Sequence, residues 1–76
     1  MEKVIVYSKY NCMQCKMTKR YLDEHNVAFE ERNVNDHPEY LDHLKNQGFQ
    51  SLPVIESVDL PPFSGFRPAE LAKLAG

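Results

Sequence analysis

The 76-residue sequence lacks any apolar segment near the roughly 20 residues that a membrane-spanning helix needs. Its N-terminal apolar run, residues 4 to 7, is too short for a signal peptide, and no small-residue cleavage site follows it. No membrane association is expected, and a cytoplasmic location is. Basic clusters are missing too. Nine lysines and arginines are spread along the chain against eleven acids, for a net charge of −2. That is not the basic footprint of a nucleic-acid binder. There are no repeats, low-complexity stretches or linkers, so one domain, residues 1 to 76, is expected. Cysteine is scarce. Cys12 and Cys15 are the only two, and no second pair exists.

A domain this small buries only about 60% of the surface of its unfolded chain, so it needs a compact core. Four Phe and four Tyr are available to fill it. KVIVYS (3–8) is β-branched and aromatic and predicts a buried strand. Asn11 is a candidate cap for a helix over residues 12 to 26, with Met17, Tyr21 and Leu22 on one face. Residues 28 to 34 predict a second strand. A second helix should start at Asp36 or His37, with Pro38 in its first turn and Gly48 as its stop. Tyr40, Leu41 and Leu44 give its apolar face. Residues 54 to 56 predict a third strand, and LPPF (60–63) a fourth, confined to an edge or broken up by its prolines. Arg67-Pro68 opens a last helix, with Leu71 and Leu74 inward. The order is β-α-β-α-β-β-α, an α/β fold. Its βαβ start requires a parallel pair, and its close β-β spacing suggests a terminal hairpin.

The stretch SKYNCMQCKMTKRYL (8–22) carries the chemistry. A structural staple between Cys12 and Cys15 would close a ring of only four residues and restrain the unfolded chain little. Structural zinc would need two more ligands, from His25, His37 and His43. The gap from Cys15 to His37 exceeds that of the familiar finger, and capping or solvation accounts for these histidines. Redox chemistry fits best. Cys-x-x-Cys at a helix start, after a strand of a βαβ unit, is the thioredoxin-like signature. Residues i and i+3 share a helix face, so the sulfurs can meet. Cys12 at the helix mouth sees unpaired N–H groups and the positive end of the dipole, which favour the thiolate. Lys9 and Lys16 either add a cationic field or are plain solvated charges. Cys15, one turn in, is expected to be more buried.

Two further stretches complete the candidate site. In SLPVI (51–55), Leu52-Pro53 is expected to be cis, although a trans proline can also start a strand. The turn would present the Leu52 backbone beside Cys12, ready to pair with an extended substrate segment. In FSGFRP (63–68), Gly65 sits where a strand turns into a helix, either to supply a positive φ or as an ordinary turn residue. Phe63 and Phe66 belong to the core or, if exposed, to a docking surface. The candidate partner-binding residues are Lys9, Met13, Gln14, Leu52, Pro53, Ser64, Gly65 and Phe66.

Taken together, VYSK, CMQC, GF-x-x-x-PV and SGFRP-x-E-L resemble the glutaredoxin-like redoxins, most closely the NrdH-redoxins, over nearly the whole chain. The resemblance implies a thioredoxin fold with a four-stranded mixed sheet flanked by three helices. It implies Cys12 as nucleophile, Cys15 as resolving thiol and Pro53 as the cis-proline. It implies a hydrogen donor to class Ib ribonucleotide reductase, reduced by thioredoxin reductase with NADPH, with no bound cofactor or metal beyond the redox-active cysteine pair. A carrier that visits two partners is expected to be a monomer. Where classical glutaredoxins have a Gly-Gly turn followed by an acid, this chain has Ser64-Gly65-Phe66 and then Arg67-Pro68. Arg67 would repel the ammonium of glutathione, and Pro68 lacks an N–H for its carboxylate. Phe63 stands where the NrdH pattern often has Trp, and Pro61-Pro62 disturb the strand before it. The first strand has no acid like the one thioredoxins bury under their cysteines, so the Cys15 proton must leave through water or a surface group. The rival readings are a glutathione-dependent glutaredoxin, a metal-binding module (zinc or a bridged iron–sulfur dimer) and an interaction domain with incidental cysteines.

Overall fold

The computed structural model describes residues 4–75. Lys3, expected in the first strand, lies outside the described residues. β1 (Val4–Ser8), α1 (Met13–Glu24), β2 (Glu30–Asn33), α2 (Glu39–Asn46), β3 (Val54–Ser57), β4 (Phe63–Ser64) and α3 (Pro68–Ala75) follow in the expected order. The sheet runs β2-β1-β3-β4. β1 pairs parallel with β2 and antiparallel with β3, and β3 pairs antiparallel with β4. This is the four-stranded mixed sheet with three helices of the thioredoxin fold.

β1 is inner in the sheet, and its period of two sends side chains into two cores. Val4 and Val6 face one side and pack with Leu22 of α1, Leu71 of α3, Ile55 and Phe63. Tyr7 faces the other and packs with Leu44 of α2, Val34 and Val54. So α1 and α3 cover one face and α2 the other. A strand buried on both faces reads as a continuous apolar run, as VIVY does in the sequence. At the outer edge of the α2 side, the Tyr7 hydroxyl donates to Glu56 Oε1 at 3.1 Å, and His43 Nε2 pairs with Glu56 Oε2 at 2.7 Å. Burial first, then the Glu56 charge, pushes the Tyr7 phenol above its ordinary pKa against the opposing pull of Arg32.

Four local expectations are corrected. Asn11 does not cap α1; Cys12 is the N-cap, while Asn11 takes a left-handed turn with φ 58°, which Asn tolerates. Met17 is exposed on α1, and the helix buries Cys15, Thr18 and Leu22 instead. β4 is Phe63–Ser64 rather than 60–63, because Pro61 and Pro62 have no N–H for the ladder and pairing resumes after them. α2 begins at Glu39, with Pro38 as its N-cap, and Gly48 at φ 88° follows its C-terminal cap.

Candidate functional site

Cys12 has extended backbone (φ −111°, ψ 107°), while its carbonyl already accepts the first helical bond from Lys16 N–H at 3.1 Å. That is the defining geometry of an N-cap, a position Ser or Asp usually fills. Here the capping atom is sulfur. Cys12 Sγ accepts the Cys15 N–H at 3.2 Å. Cys12 and Cys15 are joined in a disulfide, with Cα atoms 5.2 Å apart. Both are buried, Cys15 (1% exposed) more deeply than Cys12 (7%).

The loop before β3 lies against the sulfurs. The Leu52-Pro53 peptide is cis, as expected, and the Leu52 carbonyl oxygen lies 3.9 Å from Cys12 Sγ. The turn after β4 closes the third side. Gly65 has φ 87°, a value L side chains rarely adopt, so of the two readings its conformational role holds. Its N–H donates to the Pro53 carbonyl at 2.8 Å. Phe66 N–H donates to Gln14 Oε1 at 3.2 Å, and Arg67 Nε donates to the Ser64 carbonyl at 3.1 Å. The Phe66 ring turns inward, edge-on to Tyr21 at 6.4 Å. It belongs with the core rather than a docking surface. Met13 is exposed beside the disulfide.

A hollow of about 450 Å³ opens on the other side of the cysteines, lined by Lys9, Cys12, Cys15, Lys16, Lys19 and Glu31 among others. Glu31 Oε2 accepts both from the fully buried Ser8 hydroxyl and from Lys19 Nζ, each at 2.7 Å. Burial alone would raise the Glu31 pKa; the two hydrogen bonds and the Lys19 charge outweigh it and hold the carboxyl below its usual value. Sequence reasoning missed this trio, because its members come from β1, α1 and β2 and only the parallel pairing assembles them. It also missed the Gln14–Phe66 bond, for which the only written signal was Gly65.

The structure therefore gathers Cys12, Cys15, Gln14, Leu52, Pro53, Gly65 and Phe66 around one disulfide, with Lys9 on the rim of the hollow. Ser64 contributes a carbonyl to the Arg67 side chain, not a contact with the sulfurs. Two histidines go elsewhere: His25 stacks on Tyr21 at 4.0 Å, and His43 pairs with Glu56. His37 is among the residues lining the hollow, its Nδ1 3.4 Å from Glu39 Oε2. Among the described residues, no group of three or more His, Cys, Asp or Glu is placed to hold a metal ion.

Comparison with known proteins decides the family. The glutaredoxin family model matches residues 4–58. The chain belongs to the glutaredoxin family, on its NrdH branch. It is 56% identical over 72 residues to the glutaredoxin-like protein NrdH of Lactococcus lactis subsp. lactis, covering 95% of this chain and 99% of that one. The corresponding Salmonella typhimurium protein is 41% identical over 71 residues, covering 93% and 86%. The solved structure of the Escherichia coli glutaredoxin-like protein NrdH-redoxin, described as having a thioredoxin-like activity profile, superposes with a TM-score of 0.89 at 39% identity, covering 93% and 92%. This glutaredoxin-family chain is a thiol-disulfide oxidoreductase with a Cys-Met-Gln-Cys disulfide. No helix among the described residues is long and apolar enough to cross a membrane.

Proposed function

We propose that the chain is a monomeric, cytoplasmic dithiol electron carrier, one redoxin domain over residues 1 to 76, that takes electrons from NADPH through thioredoxin reductase and passes them to class Ib ribonucleotide reductase. The observation that carries the thiol chemistry is the cap on α1. The Cys15 N–H already points at Cys12 Sγ, and the same donor holds the negative charge when the disulfide opens. Cys12 thiolate attacks one sulfur of the acceptor's disulfide, and the other leaves as a thiolate that takes up a proton. Cys15 then loses its proton and attacks Cys12 Sγ. The intramolecular disulfide forms, and the acceptor's second sulfur departs as a thiol. Two electrons and two protons reach the acceptor. Glu31, in the hollow beside Cys15, is a surface carboxylate through which water can carry that proton away.

The acceptor's extended segment pairs with the Leu52 backbone, whose carbonyl lies 3.9 Å from Cys12 Sγ. Lys9 and Met13 contribute to the docking rim, and Gln14 joins the Ser64, Gly65 and Phe66 turn through the Phe66 N–H. The choice of reductase is supported by the loop, where Pro68 offers no N–H to a glutathione carboxylate. The thioredoxin-like activity profile reported for the Escherichia coli relative points the same way.

The test follows NADPH consumption with a disulfide substrate present, once with thioredoxin reductase and once with glutathione plus glutathione reductase. Turnover with the first system alone is expected. Turnover with glutathione alone would overturn the assignment of reductase and make the protein a glutathione-dependent glutaredoxin.

A further inference from the structure

In the turn at residues 64 to 67, two hydrogen bonds use backbone carbonyls as acceptors. Gly65 N–H is taken by the Pro53 carbonyl, and the Ser64 carbonyl by Arg67. Phe66 N–H is the exception. Its acceptor is a side-chain oxygen, Gln14 Oε1, reaching across from between the two cysteines at 3.2 Å. Gln14 is exposed, so packing does not hold it there. A Cβ at Gly65 would stand in ordinary contact with the same oxygen, at 3.6 Å, so Gly65 serves the turn through its positive φ and not by making room for Gln14. A backbone N–H at the rim of a redox site, with the Arg67 guanidinium in the same turn, is a natural partner for a carboxylate. Here a neutral amide oxygen fills that place.

We propose that Gln14 is a specificity-determining residue of this site, excluding carboxylate-bearing small thiols by occupying the Phe66 N–H and holding the turn against α1. A small anionic thiol has few contacts and must displace Gln14 to gain this one. A protein segment pairing along Leu52 does not need that donor. The proposal deepens the reading under Proposed function, since it gives a local cause for poor use of glutathione.

The experiment measures the rate at which excess glutathione reduces the disulfide in wild type, Gln14→Ala and Gln14→Glu. Two glutathione thiols supply the two electrons and leave as glutathione disulfide. Cysteamine, which has an ammonium and a thiol but no carboxylate, is the parallel probe. Thiols are quenched by alkylation and counted by mass spectrometry. Gln14→Ala should raise the glutathione-to-cysteamine rate ratio roughly three- to tenfold, the effect of one hydrogen bond. Gln14→Glu, whose carboxylate still accepts from Phe66 N–H, should keep the ratio at or below the wild-type value. Amide exchange at Phe66 should quicken in Gln14→Ala and not in Gln14→Glu. An unchanged ratio in Gln14→Ala overturns the proposal. So does an equal rise for both thiols, which means a loosened site, or a rise in Gln14→Glu matching that in Gln14→Ala. Each readout is a ratio between variant and wild type, so it stands whichever reductase serves the wild-type protein.

Discussion

Two residues outside the cysteines carry much of the site's geometry. Gly65 has φ 87°, and a Cβ there would meet only an ordinary contact with Gln14, so the cost of a side chain lies in the backbone. Gly65→Ala should lower stability by about 1–2 kcal/mol, a fall in Tm of roughly 4 °C or more for a domain of this size. An unchanged Tm would mean the turn relaxes freely. Glu31 is the second. Its folded pKa lies below its ordinary value of 4.5, so its bonds to Lys19 and Ser8 stabilise the fold above that value. That contribution is lost as pH falls through the folded pKa. Lys19→Ala should therefore cost about 0.2–1 kcal/mol in urea denaturation at neutral pH, as for other partly exposed pairs. The difference from wild type should vanish in acid well below 4.5. A difference that persists there would assign the effect to the Lys19 stem rather than its charge.

The order of the elements was legible in the sequence, because β1 opens with the apolar run VIVY and Gly48, Pro38 and Pro68 punctuate the helices. Element ends were less so. Residues 28 to 34 looked uniformly strand-like, yet only Glu30–Asn33 form β2, since β1 offers partners over four residues. Thr18 inside α1 and Met17 outside reverse the simple apolar reading, because α1 turns its Cys15–Leu22 side to the sheet and residue 18 lies on that line. At the site, Cys12, Cys15 and Pro53 were readable from spacing and the strand that follows. The contacts of Gln14, Ser8 and Glu31 were not, because they join elements distant in sequence. α3 is short and depends on one fully buried anchor, Leu71, which packs on Val4, Val6 and Leu22. Leu71→Ala should cost about 2–5 kcal/mol. With the FSGFRP turn leading directly into α3, the same variant should speed amide exchange at Gly65 and Phe66. Loss of stability with no change in those amides would show that the turn is held by Gln14 and Pro53 alone.

At the scale of the molecule, three separate stretches meet at one disulfide. The end of β1 delivers the loop to Cys12, β3 is preceded by Pro53, and the chain leaving β4 supplies Gly65 and Phe66. Met13 is exposed beside the disulfide, on the rim where the proposed acceptor would dock. The central claim is that Cys12 attacks and Cys15 resolves. The most direct measurement incubates reduced Cys12→Ser and Cys15→Ser separately with a protein disulfide acceptor and looks for covalent adducts under non-reducing conditions. The account predicts an adduct with Cys15→Ser, linked through Cys12, and none with Cys12→Ser, because Cys15 (1% exposed) is more deeply buried than Cys12 (7%). An adduct formed through Cys15 in the Cys12→Ser variant, at a rate matching the other, would contradict it.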